Sequence, residues 1–284
     1  MKRNLFNSVV FVFLAGCSLY ACAQEQKPVG QVRQHQHTFG SAVVVVRETS
    51  YATGIPVQFL QLHSNETTAN DVATSVSEEL GIDYLQILNG NKRLIEFNLE
   101  SNQYRFDPNR IFSTPGIVAS LQRHSRYTDK AFQTIFSFRD FLLGLIDSRK
   151  TIVALHNNTD GDFSLAEYQK NETGLVHSNT LHDPDDFFIT TDSTIFTLLK
   201  ERDRNVVLEF REKLKDDGSL SIYSSLNKLR YVNIEAEHGH QKEQDEMLRV
   251  LIRILRDESA GKTGAVSNRA DNDHLSFTVT TKRR

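Results

Sequence analysis

Short β-branched or alternating runs recur along the chain, separated by segments whose apolar positions fall at helical spacing. Ala42–Val46 is an alanine followed by four valines and predicts a strand; Val57–Leu62 (VQFLQL) alternates into a second. The period then changes. Thr67–Leu80 places Ala69, Val72, Val76 and Leu80 on one helical face, and Gly81 supplies a stop. Arg93–Leu99 predicts a strand. Ala119–Asp147 is patterned as one long helix with Phe132, Ile135, Phe136, Phe141, Leu142 and Leu145 facing a core. Thr151–Leu155 (TIVAL) is a buried-type strand that ends at His156. Asn157–Asp186, rich in Asn, Asp, Thr and His, predicts a long loop over one face. Asn205–Leu208 and Tyr231–Ala236 are further strands. His240–Leu255 gathers Met247, Leu251, Ile254 and Leu255 on one side and carries Glu243, Asp245 and Glu246 in its early turns, where the helix dipole favours negative charge. Strands alternating with helices predict an α/β fold: a single domain, residues 41–284, with a mixed twisted β-sheet flanked by helices. No repeat or interior linker divides it, and polar residues 24–40 read as a leader.

Composition narrows the function classes. Hydrophobic residues make up 39% and charged residues 24%, ordinary for a globular protein, and the 284-residue chain can bury a large core without disulfide staples. Lys+Arg 33 against Asp+Glu 36 leaves a net charge of −3, which argues against a generally basic nucleic-acid binder. The start of the chain is different in kind. Lys2 and Arg3 precede an apolar run, Val9–Ala15, that is too short to span a bilayer core of about 30 Å. Residues 1–23 therefore read as a signal peptide. Two processing sites follow the run. Leu14-Ala15-Gly16-Cys17 resembles a lipobox and would make Cys17 a lipidated first residue; Ala21-Cys22-Ala23 is an A-x-A site that would free Gln24. Either reading exports the protein to the periplasm or the cell surface, with a membrane link only through Cys17. Both cysteines lie in this segment, so the mature domain has no disulfide.

Four polar constellations sit at strand ends. His63-Ser64-Asn65-Glu66 follows a strand, and a histidine and a carboxylate at i and i+3 can reach one cation in a turn. Asp107-Pro108-Asn109-Arg110 offers an amide and a planar guanidinium suited to a carboxylate. His156 ends the strand TIVAL. In Tyr231–Glu237, alternation puts Glu235 and Glu237 on one face. Each alone has an ordinary explanation: a surface histidine beside a helix-start carboxylate, an ion-paired turn arginine, a structural histidine, a wet edge strand. His35 and His37 near the leader, the polar set His177, His182, Asp183, Asp185 and Asp186, the pair His238 and His240, and Tyr168 are weaker candidates. No G-x-S-x-G, H-E-x-x-H or Gly-rich phosphate loop is present.

In this order the four resemble the zinc carboxypeptidase superfamily, and within it the aspartoacylase and succinylglutamate desuccinylase branch. His63-Ser64-Asn65-Glu66 is similar to that branch's H-G-N-E, with Ser in the Gly position. Asp107-Pro108-Asn109-Arg110-Ile111-Phe112 is similar to its D-x-N-R-[IV]-F. His156, 46 residues after Arg110, stands in the place of the third ligand, and Ile234-Glu235 with Gly239 resembles a stretched I-E-x-G. The resemblance spans about residues 56–256. It implies Zn²⁺ held by His63, Glu66 and His156, Glu235 as general base, Arg110 with Asn109 holding a substrate carboxylate, and a role for Tyr168 at the oxyanion. The implied activity is that of a carboxypeptidase or an N-acyl amino acid deacylase on a small carboxylate-bearing amide or peptide, such as a peptidoglycan stem peptide in an exported protein. Glu235 and Glu237 stay open as the base, as do another divalent metal in place of zinc and a non-catalytic carboxylate- or peptide-binding protein on the same fold.

Overall fold

The computed structural model describes residues 27–40, 42–161 and 163–261; the signal-peptide and lipobox readings lie outside them. Eleven strands and seven helices follow in the order β1 (Gln31–Phe39), β2 (Ala42–Ser50), β3 (Val57–Gln61), α1 (Thr67–Leu80), β4 (Asp83–Leu88), β5 (Ile95–Leu99), β6 (Asn102–Phe106), α2 (Thr114–His124), α3 (Asp129–Leu143), β7 (Thr151–Asn158), α4 (Leu165–Asn171), β8 (Gly174–His177), β9 (Phe187–Thr190), α5 (Ser193–Lys200), β10 (Val206–Glu209), α6 (Leu220–Leu226), β11 (Tyr231–Glu237) and α7 (Gln241–Ser259). Nine strands form one mixed sheet in the order β1-β2-β4-β3-β7-β11-β9-β10-β8, and β5 pairs with β6 in a separate hairpin. The expected α/β class with a mixed sheet between helices is what the chain adopts. No helix among the described residues is long and apolar enough to cross a membrane.

The middle of the sheet is parallel: β4, β3, β7 and β11 run the same way. Such strands are covered on both faces and read as continuous apolar runs. All five residues of β3 are buried, as are the first six of β7. The pleat sends alternate side chains to opposite layers. Ile152 and Ala154 join the core beneath α2, α3 and the β5–β6 hairpin, whereas Val153 and Leu155 join the core beneath α1, α5 and α7. Parallel alignment also brings the C-terminal ends of β3, β7 and β11 to one edge, with Glu235 in register with His156.

Three expectations need correction. Part of the polar leader is ordered: Gln31–Phe39 is β1, paired antiparallel with β2 from Gln31↔Ser50 to Phe39↔Ala42. Its polarity is that of an edge strand, exposed along most of its length. His35 there lies 2.8 Å from Glu48, and His37 packs among Phe39, Phe138 and Phe141, so neither belongs to a metal cluster among the described residues. The long helix is two, because Thr128 caps a new start by accepting from the Ala131 N–H at 3.2 Å. The supposed loop after β7 contains α4 and β8.

Candidate active site

The first two site residues are mounted on a turn between β3 and α1. Buried Gln61 staples that turn from below: its Nε2 donates to the carbonyls of His63 at 3.1 Å and Glu66 at 2.7 Å, while Tyr84 Oη donates to its Oε1 at 2.6 Å. Glu66 occupies the N-cap position of α1, where the helix dipole favours its negative charge. Ser64, the departure from H-G-N-E, accepts from the Asn89 N–H at 3.1 Å and ties the turn to the segment that carries Arg93.

His63, Glu66 and His156 converge. Nδ1 of His63 lies 2.8 Å from Glu66 Oε1 and Nδ1 of His156 lies 2.9 Å from Glu66 Oε2, so one carboxylate faces two imidazoles. All three are buried, and one donor atom from each lies within 4.8 Å of the others. Behind them, Nε2 of His63 lies 2.7 Å from Asp107 Oδ1, and Asp107 also accepts from the Asn109 N–H at 2.8 Å. Such a carboxylate fixes the orientation of a ligating histidine. Arg93, half-exposed, donates to Glu66 Oε1 at 2.9 Å and comes within 3.4 Å of Asp107 Oδ2. Burial alone would push the His63 imidazole down, but Glu66 and Asp107 override it and hold the ring up at about 9. Burial would likewise raise Glu66 and Asp107; the histidines keep Glu66, and His63 with Arg93 keep Asp107, well below the usual carboxylate range. Two imidazole nitrogens and a carboxylate form the donor set that suits zinc. The Nε2 of His156 is buried without a partner.

Beside this cluster lies a cavity of about 480 Å³ lined by Asn109, Arg110, Tyr168, Asn233 and Glu235, among others. Asn109 and Arg110 belong to a 3₁₀ turn, Pro108–Arg110. Asn109 Oδ1 accepts from the Leu220 N–H at 3.1 Å, which leaves its NH₂ for a ligand. Arg110 donates to the Asn109 carbonyl at 2.9 Å and lies 3.5 Å from Asp217, both side chains being well exposed. The walls meet through glycines. A Cβ on Gly116 would sit 2.3 Å from the Gly218 Cα, and Gly218 adopts a φ of +78° that favours glycine. Phe112 N–H donates to the Gly218 carbonyl at 2.9 Å, and Ser113 Oγ to Asp216 at 2.7 Å.

Periodicity left Glu235 and Glu237 together; their surroundings differ. Glu235 is buried, lines the cavity and accepts from Asn233 Nδ2 at 2.8 Å. Burial pushes its carboxyl up and His156 partly opposes that. Glu237 instead lies 3.2 Å from His240 Nε2. The weaker candidates are placed apart from the cluster or in supporting positions. Tyr168 donates to Glu209 at 3.0 Å. His238 lies 3.3 Å from Thr67 Oγ1. His240 Nδ1 lies 3.2 Å from Asp186, and Asp183, Glu237 and His240 form a second, more exposed group. Asp185 accepts from the Gly161 N–H at 2.7 Å, His177 lies 3.8 Å from Asp203, and His182 borders a separate cavity.

Three site residues carried no sequence signal of their own. Asp107 was part of a motif without a role, Gln61 was one polar position in an alternating strand, and Arg93 was one more cation at a strand start.

No protein-family model matches the sequence, and no curated protein matches it. Solved structures are similar to it in fold. They include thrombin activatable fibrinolysis inhibitor, 12% identical with a TM-score of 0.46 over 80% of this chain and 68% of that one. Murein-tripeptide amidase from Escherichia coli O157 is 10% identical with a TM-score of 0.39 over 82% and 94%. An aspartoacylase family protein from Mesorhizobium loti is 10% identical with a TM-score of 0.41 over 80% and 67%.

Proposed function

We propose that the protein is an exported, zinc-dependent amide hydrolase acting on a small substrate that carries a free carboxylate beside the scissile bond. The observation that carries this reading is the convergence of buried His63, Glu66 and His156 next to a cavity that holds both Glu235 and Arg110. A bound Zn²⁺ on those three residues would supply a Lewis acid that polarises the amide carbonyl and acidifies water. Arg110, helped by the Asn109 amide, binds the substrate carboxylate and sets the position of the bond. Glu235 takes a proton from the attacking water and delivers it to the departing nitrogen. Its raised pKa suits a group that must both accept and give up a proton. Arg93 holds a fixed positive charge beside Glu66 and Asp107, where it offsets the negative charge of those two carboxylates. C-terminal peptide bonds and N-acyl amino acids both meet these demands, and in an exported protein peptidoglycan stem peptides belong to the class.

Zinc analysis of the purified protein, combined with a screen of N-acyl amino acids and muropeptides, tests the reading. About one zinc per chain with turnover of at least one carboxylate-bearing amide is expected. A protein that binds no divalent metal under zinc-replete conditions overturns it. Export rests on Lys2, Arg3 and Val9–Ala15; mass spectrometry of the exported protein should find a start at Cys17 or Gln24, and a mass beginning at Met1 sinks both processing sites.

A further inference from the structure

One side chain of the cluster is a cation that cannot itself bind a metal. Arg93 stands between β4 and β5, and its guanidinium forks. Nη1 donates to Glu66 Oε1 at 2.9 Å and Nη2 lies 3.4 Å from Asp107 Oδ2. The same Glu66 Oε1 lies 2.8 Å from His63 Nδ1. The side chains of Glu66 and Asp107 are only 3% and 9% exposed, whereas that of Arg93 is 46% exposed, so the fork reaches two sealed acids from the solvent side. A buried carboxylate left without a cation is costly, and a guanidinium supplies one at every working pH.

The arm that carries Arg93 is built to hold it there. Asn89–Lys92 is a tight turn in which the Lys92 N–H donates to the Asn89 carbonyl at 3.2 Å and Gly90 and Asn91 both take positive φ, +57° and +58°. Such a pair of conformations favours Gly and Asn. The Asn89 carboxamide donates to the carbonyls of Lys92 at 3.3 Å and Leu94 at 2.8 Å, the residues on either side of Arg93. Its own N–H donates to Ser64 Oγ, inside the turn that mounts His63 and Glu66. One asparagine thus fixes the base of the arginine to the turn whose carboxylate the arginine grips. The neighbouring Lys92 is engaged elsewhere, with Glu96 at 3.0 Å.

Charge decides what this arrangement does. A divalent cation on His63, Glu66 and His156 would draw on a carboxylate that Arg93 already holds, and it would meet a like charge in a buried setting where repulsion is weakly screened. We propose that Arg93 is a resident cation that competes with the metal for Glu66 and thereby sets how tightly and how reversibly the site holds it. This rests on the zinc reading given above and not on hydrolysis. Arg93 is a positioning residue, acting through Glu66 and Asp107 rather than on substrate: it stabilises the two carboxylates in the metal-free protein and weakens the hold on the metal. The opposite role, an arginine that orients Glu66 as Asp107 orients His63, would make zinc bind more weakly once the arginine is lost.

Zinc affinity of the full chain is read by competition with a chromophoric chelator for the native protein, Arg93→Gln and Arg93→Lys, together with thermal melting of each in EDTA and in zinc. Arg93→Gln should bind zinc about 10-fold or more tightly than the native protein, because one like charge is gone. It should melt below the native protein in EDTA and level with it in zinc. Arg93→Lys keeps the charge without the fork and should stay within about threefold of the native affinity. Affinity that is unchanged or weaker in Arg93→Gln overturns the inference, as does an Arg93→Lys that behaves like Arg93→Gln. An arginine that merely holds the fold would lower both melting temperatures alike and leave the affinity where it was, which also overturns it. Should Arg93→Gln not fold, phenylglyoxal labelling of the native protein, mapped by mass spectrometry, still answers. Zinc should free the Arg93 guanidinium and speed its modification relative to the exposed Arg149; equal or slower labelling sinks the proposal. Tighter zinc in Arg93→Gln from a protein that hydrolyses no amide keeps the inference while the hydrolase reading falls. Absence of zinc from the native protein and both variants overturns the two together.

Discussion

Two groups of histidine and carboxylate lie near the same end of the sheet, each with an aspartate behind a histidine but on a different mount. In the first, His63 and His156 face Glu66, and Asp107 stands behind His63. In the second, His240 faces Glu237, with Asp183 close by, and Asp186 stands behind His240. The first is buried and fixed to the ends of β3 and β7, on a turn that Gln61 holds from inside. The second has an exposed Asp183 in a loop, and the side chain of His240 is about a third exposed. Donor types alone therefore do not decide how well a group suits a cation. Removal from water raises the gain from a cation, and a rigid mount removes the entropy of gathering the ligands.

The largest effect that sharpens this contrast is expected from Glu66→Gln. Zinc content should fall from about one per chain to a small fraction, and hydrolysis to background, because the one carboxylate that faces both histidines is gone. Zinc retained at full stoichiometry would place the metal elsewhere. Next comes Glu235→Gln, which should keep its zinc while turnover falls on the order of 10²–10⁴-fold. If Glu235→Gln stays active and Glu237→Gln is dead, the base belongs to the second group and the contrast fails. Asp107→Asn should weaken zinc by about 10- to 100-fold, read by competition with a chelator, since it leaves His63 without its orienting carboxylate.

The smallest effect belongs to His240→Gln. Zinc content and turnover should not change; loss of zinc would show that the two groups are one site. Burial alone would lower the His240 pKa, but Asp186 and Glu237 raise it above 6.5. A histidine raised in the folded state stabilises below its unfolded value and loses that contribution as the pH climbs past the folded one. Denaturant titration at pH 5.5 and pH 8.5 should show the native protein's small advantage over His240→Gln at the lower pH only.

β3, β7 and β11 at the centre of the sheet and the helices α1 and α7 were readable because buried strands write short, largely apolar runs and amphipathy writes a 3.6-residue period, whereas β4 beside them was not read. The convergence of His63, Glu66 and His156 was expected from the order of the motifs and the resemblance they carry; singly, His63 with Glu66 is a weak local pair and His156 is one histidine late in a strand. What the pattern hid was cooperative. Thr128 splits a segment that reads as one long helix, because a cap is one hydrogen bond and leaves no periodicity behind. β1 looked like a leader since an edge strand can be polar throughout. Arg93 and Asp107 are 14 positions apart in the sequence and meet only through the fold.

The contact between Gly116 and Gly218 has a mechanical consequence. Backbone meets backbone there with no side chain between, and the hydrogen bonds of Phe112 and Ser113 pin the same pair of segments on either side. The cavity thus resembles a vice with one fixed jaw. The plate that carries Arg110 cannot be shimmed by a larger residue without backing a whole helix start away from its neighbour. The plate that carries Glu209 and Tyr168 is built of replaceable side chains. Variation in this cavity would run through the side chains of β10 and α4 while the backbone that mounts Arg110 stayed as it is.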